Sequence, residues 1–226
     1  MSHHHPLTPS TDLETDDAVA TGEGGELVAV GEATSLREPV AALLLAGGAS
    51  RRMGRDKTRL VREGRTLAQR TASLLTSLGV TAIEVGPGAS GLDAVREEPP
   101  GEGPLAAIVE GRRALRRRGH AGPALVVASD MPFLTRDFLA FLATFDAAGS
   151  VLPVLEDRTQ PLCARWSGPD LDEAGVLFAR GERSLRFLAD SPGVVLLEEP
   201  QWRAHASPQV FIDVDTPEEA RRHGLL

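Results

Sequence analysis

This 226-residue chain has one cysteine and one lysine. The single cysteine, Cys163, excludes an internal disulfide framework and a multi-cysteine metal site. It sits inside an apolar strand pattern, which favours a buried inert thiol over a reactive one. Long apolar runs are also missing. None approaches the ~18 residues a membrane span needs, and the N-terminus lacks the charged-then-apolar order of a signal peptide. A cytoplasmic protein with no membrane partner is expected. Hydrophobic residues at 42% and charged residues at 25% are ordinary for a globular chain. A net charge of −8 is unevenly spread: residues 1–38 carry −7 of it, leaving −1 on the rest. The body of the chain is therefore near neutral and gives no argument for nucleic-acid binding.

The shortage of lysine is informative in a different way. Of 24 basic residues, 23 are arginine, and the one lysine is Lys57. It lies in Leu45-Ala46-Gly47-Gly48-Ala49-Ser50-Arg51-Arg52-Met53-Gly54-Arg55-Asp56-Lys57. An apolar run, Val40 to Ala46, precedes this stretch, and a helical pattern follows near Leu67. It reads as strand, glycine-rich loop, helix. Gly47 and Gly48 have no Cβ, so their backbone can turn sharply and approach an anion. Ser50, Arg51, Arg52 and Lys57 add a hydroxyl and positive charge, a combination suited to a polyphosphate. A compact ammonium acts on phosphate as a point charge where a planar guanidinium needs more room. Two common phosphate loops are excluded. A Walker loop needs Lys-Ser or Lys-Thr directly after its last glycine, and this stretch holds no G-x-G-x-x-G triplet.

Residues 1–38 are rich in Thr, Ser, Glu and Gly with little apolar periodicity. They are expected to form a disordered acidic tail, since so little apolar surface cannot offset the ordering entropy. His3, His4 and His5 read as a solvated triplet before a metal tract. From Pro39 onward, residues 39–226, the pattern is α/β. Strands are expected at Val40–Ala46, Ala82–Val85, Ala124–Ala128, Ser150–Leu155, Pro161–Trp166, Val194–Leu197 and Phe211–Val214. Helices are expected at Thr66–Leu78, Leu105–Arg118, after Thr135, around Pro169–Arg180 and Arg183–Ala189, and after the cap Thr216 with Pro217 first. Arg112, Arg113, Arg116, Arg117 and Arg118 read as a solvated basic face at a helix C-terminus, which the helix dipole favours. Trp166 and Trp202 read as packing residues, Trp202 in a polar loop. Asp130 follows a buried strand directly. That is where open α/β sheets bind ligands, and a metal or phosphate role is expected. Asp213 and Asp215 bracket the last strand's end, and either could reach a metal held by Asp130.

The loop resembles L-A-G-G-x-S-x-R-M-G-x-D-K, the signature of the molybdenum cofactor guanylyltransferase family, at every fixed position. Gly103-Pro104-Leu105-Ala106 is similar to the family's G-P-L-A-G turn. Ser129-Asp130-Met131-Pro132 is similar to its magnesium-binding aspartate element. Gln160-Pro161-Leu162-Cys163-Ala164 is similar to its H-P-L-x-A strand, and Asp213-Val214-Asp215-Thr216-Pro217-Glu218-Glu219 to its N-x-N-T-P-E-[DE] ending. Together they span roughly Val40 to Ala220.

The resemblance implies a three-layer, Rossmann-like, glycosyltransferase-A-like fold with a mainly parallel sheet. It also implies transfer of GMP from GTP to molybdopterin or its molybdenum-loaded form, with Mg²⁺ as cofactor. Molybdoenzymes or their chaperones are candidate further partners. Leu45, Ala46, Gly47, Gly48 and Ser50 would hold the nucleotide. Arg52 and Lys57 would stabilise phosphate charge, and Asp130 would hold the metal with Asp215. Glu97, beside Glu98, is the nearest match to the family's guanine-reading aspartate. The chain departs from the family at Asp213 and Asp215, where asparagines are usual, and at Val85-Gly86, where many relatives end the strand in Asn. The two aspartates keep open a cytidylyltransferase, or an enzyme for another phosphorylated small molecule. A nucleotide-binding regulatory module without turnover is the alternative of another class.

Overall fold

The computed structural model describes residues 39–47, 60–214 and 216–225. Ten strands and seven helices are assigned among them. The strands are β1 (Ala41–Leu45), β2 (Val61–Arg62), β3 (Arg65–Thr66), β4 (Ala82–Val85), β5 (Ala94–Val95), β6 (Ala124–Ala128), β7 (Val151–Leu155), β8 (Arg158–Thr159), β9 (Cys163–Trp166) and β10 (Val195–Leu197). The helices are α1 (Leu67–Ser77), α2 (Pro104–Arg117), α3 (Arg136–Thr144), α4 (Gly168–Ala179), α5 (Arg186–Ala189), α6 (Glu199–Trp202) and α7 (Pro217–Arg222).

The main sheet runs β10-β7-β9-β6-β1-β4-β5, with β8 paired to β7. β1 is parallel to both neighbours, β4 and β6, and β5 continues parallel on β4. β9 runs antiparallel to β6 and to β7. β1 and β6 are apolar along their whole length because both faces are covered. Leu43 and Leu45 face a core built with Ile108 and Leu115 of α2 and Leu171 of α4. Ala42 and Leu44 face the opposite core, with Leu75 of α1, Phe138 of α3 and Trp202 of α6. The fold is thus three layers, helices on both faces of a mostly parallel sheet. Each wholly buried leucine of this kind contributes about 1.5–3 kcal/mol.

Helix starts follow the sequence. Thr66 caps α1 in a capping box: its hydroxyl accepts from Gln69 N (3.2 Å) and Gln69 Oε1 accepts from Thr66 N (3.1 Å). Thr135 caps α3, Ser167 caps α4 and Thr216 caps α7.

Three readings need correction. Phe211–Val214 is not a strand: Pro208–Phe211 is a 3₁₀ turn, and 212–214 run on without a ladder. Both edges of β6 are already taken, by β1 and β9, so one bond remains possible, from Val214 N–H to Asp130 O (3.1 Å). Arg112 is not part of a solvated face. It is buried between α2 and α4, while Arg113, Arg116, Arg117 and Arg118 are exposed. Trp202 lies on a helix rather than a polar loop. It is wholly buried, with its indole N–H donating to Val154 O (3.1 Å).

Candidate active site

The chain passes from β1 through α1 to β4 and β5 on one side of β1, then through α2 to β6 on its other side. The direction of winding therefore reverses between β1 and β6. Beyond the carboxyl ends of these two strands lies the crevice in which open α/β sheets bind ligands. Leu45 and Ala128 are register partners, so both strands finish level. Ala46 and Gly47 leave β1 there, and Ser129 and Asp130 leave β6.

Hydrogen bonds fix this rim. Ser129 N–H donates to Leu45 O (3.0 Å), and Ala46 N–H donates to Val85 O (3.0 Å). The Leu45 carbonyl and Ala46 N–H are therefore committed to the sheet. Both residues set the path into Gly47, which is exposed. Among the described residues, a methyl group added at Gly47 would meet only Glu97 Oε1 at 3.6 Å and Val85 O at 3.8 Å. The predicted base-reading residue therefore stands beside the predicted phosphate-loop glycine. Glu97 Oε2 also accepts from Gly101 N (3.2 Å), which ties the carboxylate into the turn before α2.

Asp130 is half-buried. The Val214 bond to its carbonyl brings the C-terminal segment to the same rim, and Asp213 beside it is exposed. A small cluster of Leu60, Leu67, Val214, Ala220 and Leu225 packs beneath. It joins the exit of the glycine-rich loop, at Leu60, to the segment between the two predicted aspartates. Arg70 of α1 donates to Leu134 O (2.9 Å), so the turn after Asp130 is held from α1 as well. Arg62 stacks over Phe133, 4.4 Å from guanidinium carbon to ring centre, and Phe133 meets His223 edge-on at 5.2 Å.

Among the described residues, no three His, Cys, Asp or Glu side chains gather as a metal cluster. Magnesium does not need one. It is usually held by one or two carboxylates, with substrate phosphates and water completing an octahedron. One half-buried carboxylate just beyond the carboxyl end of β6 fits that requirement. Gly48, Ser50, Arg52, Lys57 and Asp215 lie outside the described residues.

Sequence reasoning missed Glu84. It is wholly buried in β4, and its carboxylate accepts from Gly88 N (2.6 Å), Ala89 N (3.0 Å) and Ser90 N (2.8 Å). Burial opposes its charge, but the Ser90 hydroxyl and these three N–H groups outweigh it and hold the carboxyl below its ordinary range. The signal was available: a lone acid in the apolar strand Ala82-Ile83-Glu84-Val85 must find partners, and Gly-Pro-Gly-Ala-Ser follows. Cys163 is buried, and burial pushes its thiol up to about 12, so it is an inert packing group. Trp166 is equally buried, its indole N–H donating to Pro161 O (3.0 Å).

A family model described as the MobA-like NTP transferase domain matches residues 42–194. A Mycobacterium avium (strain 104) protein named "probable molybdenum cofactor guanylyltransferase" is 34% identical over 192 residues, covering 80% of this chain and 96% of its own. A protein of the same name from Opitutus terrae is 35% identical over 178 residues, covering 73% and 88%. Among solved structures, the molybdopterin-guanine dinucleotide biosynthesis protein A of Archaeoglobus fulgidus aligns with a TM-score of 0.64 at 21% identity, over 81% of this chain and 96% of that one. This last likeness speaks for the fold. With the family model spanning every strand from β1 to β9, the chain belongs to the MobA-like NTP transferase family and is a nucleotidyltransferase.

Proposed function

We propose that this protein transfers GMP from GTP to the terminal phosphate of molybdopterin, or of its molybdenum-loaded form, and releases pyrophosphate. The observation that carries this reading is Glu97 beside Gly47 at the end of β1, with Asp130 leaving the level end of the neighbouring β6. The names of the curated relatives supply the base and the acceptor class.

The chemistry is in-line substitution at the α-phosphorus. An oxygen of the acceptor phosphate forms the new P–O bond, and the bond to the bridging oxygen of the β-phosphate breaks, so pyrophosphate carries away the electron pair. A phosphate nucleophile is already ionised near pH 7 and needs no side-chain base. The protein's work is positioning and charge stabilisation. Gly47 lets the backbone approach the nucleotide closely. Glu97 accepts from guanine N1–H and the 2-amino group. Lys57 and Arg52 neutralise charge on the α-phosphate and on departing pyrophosphate. Asp130, with Asp215, would hold Mg²⁺, which when bound neutralises phosphate oxygens. Asp213, exposed beside Val214 at the same rim, would face the acceptor.

The test is pyrophosphate release from each of the four nucleoside triphosphates, with Mg²⁺ and purified molybdopterin. Release with GTP alone is expected. Release with CTP instead would assign the chain to cytidylyl transfer, and tight GTP binding without release would favour the regulatory module. Lys57→Ala and Asp130→Ala are each expected to reduce turnover at least about a hundredfold, the scale on which lost charge stabilisation acts. Their circular dichroism should stay unchanged. Near-normal turnover in either variant defeats the role given to that residue.

A further inference from the structure

Glu84 is the only wholly buried carboxylate among the described residues, and every bond given above for it leads to one loop. That loop touches both sides of the nucleotide rim. On one side, a methyl added at Gly86 would lie 3.0 Å from Ala46 C, Ala46 Cβ and Glu84 Oε1, so the loop, Ala46 and the carboxylate are packed to the limit. On the other side, Gly86 N–H donates to Val95 O (2.8 Å), and the Arg96 guanidinium donates to Pro87 O (3.1 Å). The segment so anchored, Val95-Arg96, runs directly into Glu97.

We propose that Glu84 is the positioning residue of the nucleotide-base subsite. Its carboxylate gathers the N–H groups of Gly88, Ala89 and Ser90, and thereby holds the Gly86–Ser90 loop against Ala46 and against β5, which leads into Glu97. The distance between Gly47 and the base-reading carboxylate is set by a residue that touches no substrate. At this strand end Val85-Gly86 offers only backbone, and Glu84 makes that backbone rigid. Charge is essential to the device. Three donors converge on two oxygens, and a neutral amide would turn its own donors toward them.

This inference rests on the reading of Gly47 and Glu97 as nucleotide ligands, and the experiment separates the two. Binding of Mg-GTP and of inorganic pyrophosphate is measured by calorimetry on the full chain, for wild type, Glu84→Gln and Arg112→Met. Arg112 lies away from the rim and serves as a control for simple loss of stability. Glu84→Gln is expected to weaken GTP about tenfold, equivalent to about 1.4 kcal/mol, while pyrophosphate affinity stays within about twofold because the phosphate loop is untouched. Arg112→Met is expected to melt earlier with GTP affinity unchanged. Three results would overturn the proposal: wild-type GTP affinity in Glu84→Gln, equal losses of GTP and pyrophosphate in it, or an equal GTP loss in Arg112→Met. A wild type that binds no GTP would remove the nucleotide site itself, and the proposal with it. If Glu84→Gln does not fold, Gly86→Ala keeps the carboxylate and displaces the loop from the opposite side. It should show the same selective loss of GTP, and wild-type GTP affinity there would overturn the proposal equally.

Discussion

Gly47 and Gly111 are both irreplaceable, for different reasons. Gly47 is exposed and does not lie in the left-handed region, and among the described residues a methyl there would make only ordinary contacts, with Glu97 and Val85. What it provides is room for the ligand. Gly47→Ala should therefore leave the melting temperature unchanged while raising the KM for GTP about tenfold, a cost of about 1.4 kcal/mol. Gly111 in α2 is buried, and a methyl would fall 2.8 Å from both δ-carbons of Leu43 and 2.9 Å from Val85 Cγ2. Gly111→Ala should cost about 1–3 kcal/mol of stability through overpacking, with KM unchanged in the folded fraction. Urea melts and steady-state kinetics on both variants test the pair. A stability loss at Gly47, or a KM change at Gly111, would reverse the assignment. Gly47 and Asp130 were legible in the sequence because each closes a short apolar strand, where period and punctuation coincide. Glu84 was passed over: a lone acid in an apolar strand signals that partners exist, but these are backbone groups four to six residues on, which no residue type identifies.

Helices α2 and α4 are fastened by charge as well as by packing. The Arg112 guanidinium donates to Asp172 Oδ1 (2.9 Å) and to the carbonyls of Ala121 (2.6 Å), Gly122 (2.9 Å) and Gly168 (3.1 Å). Arg116 joins the same carboxylate from the solvent side, Nε to Oδ1 at 3.0 Å. Removing Arg112 takes a donor from three carbonyls and leaves Asp172 with Arg116 alone, so Arg112→Met should cost about 3 kcal/mol. Partial burial opposes the charge on Asp172, but the two arginines outweigh it and bring its pKa down to about 2. A folded pKa below the unfolded one stabilises above the unfolded value of about 4, and that stabilisation is lost as pH falls toward 2. The melting-temperature gap between wild type and Asp172→Asn should be widest near neutral pH and close between about pH 4 and pH 2. A gap constant with pH would deny the ion pair its role. The sequence showed five arginines on one helix but not which of them turns inward. Arg112 is decided by α4, some sixty positions away. The β2–β3 hairpin, β5 and α6 were missed because two to four residues carry too little periodicity. The hairpin turn, with Glu63 and Gly64 at φ 53° and 76°, lacks the usual Asn-Gly signal.

Over the whole molecule, the alternation of apolar strands with amphipathic helices was enough to read a layered α/β fold, and the strand ends were enough to point to the candidate site. Strand order was not readable, because nothing local tells β9 to run against its neighbours. That reversed strand bears on how the protein is made. Once the ribosome has passed Ala128, the parallel group β5-β4-β1-β6 has all its members, yet one flank of β6 waits for Cys163–Trp166. During those intervening codons the apolar run Ala124–Ala128 presents unpaired N–H and C=O groups, a template for another chain. Chains arrested at Gly149 should partition into aggregates or onto chaperones, and chains arrested at Arg180 should not. Solubility of released nascent chains would measure this, and equal solubility would show that the flank is shielded before its proper strand arrives.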